Sequence, residues 1–108
     1  MKQFLFCLVQ TPKQEQGGIF MTGKVLIENK CGLHLRAVAQ LVRVANTFDC
    51  SIAVKNRGRT ASAKSLLNLL ALAVPKGGEL EIEAEGKDAD QAIYAIQGLV
   101  QARFGEPE

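Results

Sequence analysis

Beyond Met21 the apolar and polar positions follow two rhythms, and the points where one replaces the other mark the elements. Lys24-Val25-Leu26-Ile27-Glu28 is a short β-type run, closed by the turn-forming Asn29-Lys30-Cys31-Gly32. A helical rhythm follows. Val38, Leu41, Val42, Ala45 and Phe48 recur at spacings of three and four and make one apolar stripe, while Gln40, Arg43, Asn46 and Thr47 fall away from it. Ser51 to Lys55 alternates as a strand, Asn56-Arg57-Gly58 signals a turn, and Arg59 to Ala63 returns as its hairpin partner. Ser65 then precedes LLNLLALAV, a leucine-rich helix stopped near Pro75 and Gly77-Gly78. Glu79 to Glu85 is the cleanest alternation: Leu80, Ile82 and Ala84 face one way, and Glu79, Glu81, Glu83 and Glu85 the other. Asp88 opens a last helix whose inner stripe is Ala89, Ala92, Ile93, Ile96, Val100 and Phe104.

The resulting order is β-α-β-β-α-β-α. Strands that alternate apolar and polar suit an antiparallel sheet with one face in water. All three amphipathic helices must bury their stripes, so they cover the other face. The expected class is α+β, an open-faced sandwich of a four-stranded antiparallel sheet with three helices on one face. A ferredoxin-like βαββαβ unit with an added helix gives nearly the same string, and element order alone does not separate the two. Four carboxylates spaced two apart repel one another, so their face must stay in water or meet cations. A solvated face is the simple account, since a calcium site needs more converging loop ligands.

Residues 1–20 have a different character. FLFCLV is an apolar run of six, too short for a signal peptide and without a small-residue cleavage site. Phe6 before Cys7 does not suit a lipoprotein signal. An added edge strand or docking segment is one reading. The preferred one makes Met21 the natural start: Gly17-Gly18 can be encoded by GGAGG, a ribosome-binding sequence lying just upstream of a start codon. Residues 1–20 are therefore expected to be an extension that packs poorly, and residues 21–108 the domain.

Composition narrows the classes. With 108 residues, 47% hydrophobic and 22% charged, the chain reads as one globular domain. A net charge of +2 without a basic block does not suggest nucleic acid as a partner. No apolar run approaches the roughly 18 residues of a membrane span. The three cysteines, Cys7, Cys31 and Cys50, have no CxxC spacing and read as reduced thiols of a cytoplasmic protein. With a single histidine beside them they lack zinc-ligand spacing. GxxxxGK[ST], HExxH and GxSxG are all missing, and no cofactor is called for. Cys31 and His34 form a possible Cys/His pair, but nothing marks a third group to orient it.

His34, the only histidine, stands where the loop gives way to the first helix. A helix N-terminus has free backbone N–H groups and partial positive charge. That environment disfavours imidazolium and leaves a nitrogen lone pair available. The same N–H groups would receive a phosphoryl group added to the ring. Arg36, on the first turn, can offer a guanidinium fork, and Gly32 keeps the approach clear. A histidine at a helix start is also an ordinary capping or surface residue. Ser65 is equally double: serine is a favoured cap, yet a phosphate there gains from the helix end. Leu66, Leu67 and Leu70 cannot all face one core, so they form either an exposed partner-binding patch or part of a helix buried all round.

These residues together resemble the HPr family, the histidine-containing phosphocarriers of the bacterial phosphoenolpyruvate:sugar phosphotransferase system. NKCGLHLRA is similar to the family's active-site segment, Gly-Leu-His-x-Arg followed by Pro or Ala. ASAKSLLNLL is similar to its second motif, with Ser65 standing 31 positions after His34. The strand GGELEIEAEG and the final helix match too, so the resemblance spans about residues 22–105.

The resemblance implies an HPr-like open-faced sandwich. It implies a carrier, not an enzyme: His34 accepts a phosphoryl group on Nδ1 from phosphorylated enzyme I and passes it to a histidine of an enzyme IIA domain. Arg36 assists, Ser65 matches a serine phosphorylated by a dedicated HPr kinase in some bacteria, and Leu66, Leu67 and Leu70 match the docking surface. A cytoplasmic monomer serving sugar uptake is expected. Ala37 stands where sugar-branch members usually carry proline and is typical of the nitrogen-related branch, and Leu35 replaces a usual alanine. The tail RFGEPE is charged, is expected to be mobile, and receives no role. A regulatory binding module controlled by phosphorylation, and a ferredoxin-like sensor with an incidental histidine, are the readings from other classes.

Overall fold

The computed structural model describes residues 7–9 and 19–106. Its strands are β1 (Cys7–Val9), β2 (Ile19–Leu26), β3 (Cys50–Asn56), β4 (Arg59–Ser62) and β5 (Glu79–Gly86). Its helices are α1 (Leu35–Ala45), α2 (Leu66–Leu72) and α3 (Ala89–Gln101), followed by a short turn at Arg103–Gly105. The sheet order is β1-β2-β5-β3-β4, with antiparallel pairing throughout. The order decides between the two folds that the element string allowed. The last strand lies inside the sheet, between β2 and β3, whereas a ferredoxin-like unit carries its last strand at an edge.

The four expected strands are joined by a fifth. β1 pairs with β2, Leu8 opposite Met21, and β2 itself begins at Ile19. Parts of the segment expected to stand apart from the domain are therefore in the sheet. The reason is the length of β5: its residues Glu85 and Gly86 reach past Met21, and their backbone pairs with Phe20 and Ile19. Unpaired strand backbone is a strong template for further pairing.

The alternation in β5 is realised as expected. Leu80, Ile82 and Ala84 are buried, and the glutamates line the open face. Their repulsion is relieved by lysines on both neighbouring strands: Lys24 and Lys55 lie opposite Glu81, and Lys55 Nζ is 2.8 Å from Glu83 Oε2. The helices cover the other face. α3 packs on β2 and β5, α1 on α3 and α2, and α2 on β4. Ile27, Leu41, Leu69, Leu80, Ile82, Ile93 and Ile96 are fully buried there. Each contributes roughly 2 kcal/mol of apolar burial. α3 approaches β2 closely because position 23 is glycine; a Cβ there would fall 2.9 Å from the Ile93 Cγ2 and 2.8 Å from the Gln97 Nε2. Gln97, buried, donates to the Lys24 carbonyl.

Two expected stripes end early. Phe48 lies beyond α1, and Phe104 lies beyond α3. Phe104 is buried nonetheless, carried inward by a left-handed turn in which Arg103, Phe104 and Gly105 all have positive φ. Helical spacing identified it as a core residue for the wrong reason.

The loop between β2 and α1 is fastened to the loop after α2. Leu33 N–H donates to the Val74 carbonyl at 2.8 Å, and Ile27 exchanges hydrogen bonds with Gly77 and Gly78. Gly32 has φ +68°, and a Cβ on it would meet the Val74 carbonyl oxygen at 2.6 Å. Gly32→Ala should therefore lower the unfolding free energy by about 2 kcal/mol, from left-handed strain plus the clash. A urea midpoint equal to that of the wild-type chain would refute this account of the loop.

Candidate functional site

The site is built on the first turn of α1. His34 is its N-cap, with extended backbone (φ −92°, ψ 179°), and its carbonyl accepts the first helical hydrogen bond, from Val38 N–H at 2.8 Å. The ring Nδ1 accepts from the Arg36 backbone N–H at 3.3 Å. That bond is long and easily given up. Helix-start backbone N–H groups without an intrahelical acceptor gather here, among them that of Ala37 at the third helical position. Histidine at a cap is thus a real cap, and the same geometry turns Nδ1 toward the positive end of the helix.

The other ring nitrogen has a partner that sequence reasoning missed. His34 Nε2 lies 2.6 Å from Glu106 Oε2. With Nδ1 accepting, the ring proton belongs on Nε2 and is donated to the carboxylate. The tail RFGEPE, expected to be mobile, is instead anchored as far as Glu106: Phe104 is buried and its carbonyl accepts from Gln40 Nε2 at 3.0 Å. Asn29 completes the arrangement. Fully buried, it donates through Nδ2 to the Gly32 carbonyl at 2.8 Å and, at 3.4 Å, to Glu106 Oε1. Asn29 read as a turn former; its carboxamide ties the turn to the chain's far end.

Arg36 is exposed on the same turn, and among the described residues no hydrogen bond or ion pair holds its guanidinium. It is free to meet an incoming anion. Ser65 caps α2: its Oγ accepts from Asn68 N–H at 3.3 Å and from Asn68 Nδ2 at 2.9 Å. The leucines divide. Leu67 is 76% exposed and Leu66 37%, whereas Leu70 is half-buried against the core, so the apolar patch is narrower than the expected trio. Leu35, 58% exposed at the first position of α1, adds apolar surface next to His34. A groove of about 1040 Å³ lined by Cys50, Ser51, Lys64, Glu83 and Glu85, among others, includes none of these site residues. Among the described residues no group of three His, Cys, Asp or Glu side chains could hold a metal ion, and no helix is long and apolar enough to cross a membrane. Burial pushes the Cys50 thiol up from its ordinary range.

A half-exposed imidazole with one nitrogen aimed at a helix N-terminus, its proton held on the other, and a free arginine beside it can take up and release a phosphoryl group. Comparison with known proteins points the same way. Residues 21–102 match the family model described as PTS HPr component phosphorylation site. The chain is 38% identical over 82 residues to the phosphocarrier protein HPr of Cupriavidus necator, covering 76% of this chain and 92% of that one. It is 42% identical over 83 residues to the phosphocarrier protein NPr of Shewanella violacea, covering 77% and 91%. Among solved structures, an HPr from Thermoanaerobacter tengcongensis superposes with a TM-score of 0.78 at 34% identity, covering 81% of this chain and 98% of that one.

The cap on α2 can be tested apart from any phosphate chemistry. Ser65→Ala should cost about 1 kcal/mol of stability through the lost cap, read by chemical denaturation, with the helical circular dichroism otherwise retained. Unchanged stability would remove the capping role.

Proposed function

The chain belongs to the HPr family of phosphocarriers, and from that premise we propose that His34 is its phosphorylated residue. HPr proteins carry a phosphoryl group and are not enzymes. His34 Nδ1 receives the group from phosphorylated enzyme I and yields it to a histidine of an enzyme IIA domain. The observation that supports this reading is the ring's double anchorage, Nδ1 on the Arg36 N–H and Nε2 on Glu106, which presents the Nδ1 lone pair at the helix end. The helix N–H groups and the Arg36 guanidinium then receive the phosphate oxygens. Half-burial suits a carrier, because a group that must leave again cannot be enclosed.

Docking is assigned to the exposed Leu35, Leu66 and Leu67, beside a site that two partners address in turn. Leu70 contributes only its outer edge. Ser65 is a candidate for regulatory phosphorylation by a serine kinase; a phosphate there would displace the Asn68 contacts and bring negative charge to the same surface. The protein is read as a cytoplasmic monomer whose carrier domain is residues 21–108, its sheet extended by Ile19, Phe20 and β1.

Service to sugar uptake is the first reading of the branch. A nitrogen-related role is the second, favoured by Ala37 and by the similarity to an NPr. Incubation with phosphoenolpyruvate and enzyme I of each branch, side by side, tests both. We expect one acid-labile phosphate per chain, lost completely in His34→Ala. Faster transfer from the sugar-type enzyme supports the first reading, and faster transfer from the nitrogen-type enzyme supports the second. A chain left unmodified while a known carrier is phosphorylated in the same tube would overturn the proposal.

A further inference from the structure

We propose that Glu106 is a positioning residue for phosphoryl transfer, acting through the His34 ring; the inference rests on the phosphocarrier reading above. Three observations carry it. The 2.6 Å contact between His34 Nε2 and Glu106 Oε2 is short for a nitrogen–oxygen pair, as charge-assisted bonds are. Both partners are shielded, His34 30% and Glu106 17% exposed, so the contact is less screened than a surface ion pair. The chain leading to it is built at a cost. Arg103 and Phe104 both hold positive φ, a conformation costing about 1 kcal/mol or more for each non-glycine residue. Phe104 burial, the Gln40 bond to its carbonyl and the buried Asn29 together offset that cost and deliver the carboxylate to the ring. A tail with no task needs none of these.

The chemistry follows from the protons and electrons. Before transfer the proton sits on Nε2 and the Nδ1 lone pair is free. As that pair forms the new N–P bond, the donor's bond to phosphorus breaks and its electron pair stays with the donor. Nε2 keeps its proton, so the accepting ring becomes positively charged. Glu106 faces that charge from the side opposite the arriving phosphate. The carboxylate therefore does two things: it holds the ring in the tautomer whose Nδ1 can attack, and it lowers the energy of the ring as charge develops. On release to the next partner the same interaction relaxes, and the N–P electron pair returns to Nδ1.

The test uses the full chain and two variants, Glu106→Ala and Glu106→Gln. Proton and nitrogen NMR of the lone histidine needs no partner protein. The wild-type chain should show an imidazole Nε2–H signal protected from solvent exchange, and Glu106→Ala should lose it. With phosphorylated enzyme I as donor, Glu106→Ala should show kcat reduced about tenfold, the size expected for one charge-assisted bond, and Glu106→Gln a smaller reduction, with KM little changed in either. Glutamine keeps an acceptor for Nε2 but not the charge, so its deficit measures the electrostatic part. A wild-type ring without the protected signal would overturn the proposal, and so would variants with wild-type kcat or a change in KM alone. If the wild-type chain itself takes no phosphate, the phosphocarrier reading falls and this role with it; phosphorylation at equal rates in all three chains removes the role of Glu106 alone.

Discussion

The hydrogen bond from Leu33 N–H to the Val74 carbonyl ties the loop before α1 to the loop after α2. The position of the His34 ring depends on it. Gly32 lies so close to the Val74–Pro75 backbone that no side chain fits, and Asn29 is sealed beneath the same turn. With the loop pinned at both ends, the next residue must enter α1 from one direction, and that residue is His34. A reactive side chain on a free loop would sample many orientations. Here the backbone that bears it has little freedom, and only the ring torsions remain for Arg36 and Glu106 to fix.

Much of this was legible in the chain. The alternation of β5 marked its two faces, and the helical stripes identified most of the core, including Val38, Leu41, Ile93 and Ile96. His34 and Ser65 were recognised as helix starts because their residue types and the following apolar rhythm are local signals, and both are caps in the structure. What local signals cannot carry is contact across the fold. Glu106 meets His34 across 72 positions of sequence, and nothing in RFGEPE announces it. Asn29 resembles any turn asparagine until its surroundings are seen. The reach of β2 back to Ile19 was hidden for the same reason: it is decided by the length of β5, sixty residues later in the chain. Leu70 differs from Leu66 and Leu67 only in the direction it faces around a seven-residue helix, and packing against the core decides that.

The two faces of the sheet divide the labour. The inner face carries the buried apolar core, while the starts of α1 and α2 are closed by their own caps, His34 and Ser65. The outer face spends its charge on itself, with Lys55 against Glu83. The surface around His34 is left with a free guanidinium and a few exposed leucines. That combination fits short-lived encounters, in which a modest apolar contact aligns two proteins and the charge is concentrated beside the His34 ring.

The placement of β5 also governs how the chain becomes a fold. β2 and β3 are never neighbours; the strand that joins them is the last to be synthesised. While residues 79–86 are still within the ribosome, only the β1–β2 and β3–β4 pairs can form, and two-stranded ribbons are marginal alone. The sheet closes when β5 emerges and takes partners on both sides, followed by α3, which covers β2 across it. Assembly is consequently a late, non-local event, and a nascent chain cut short of Glu79 lacks the strand that unites its halves.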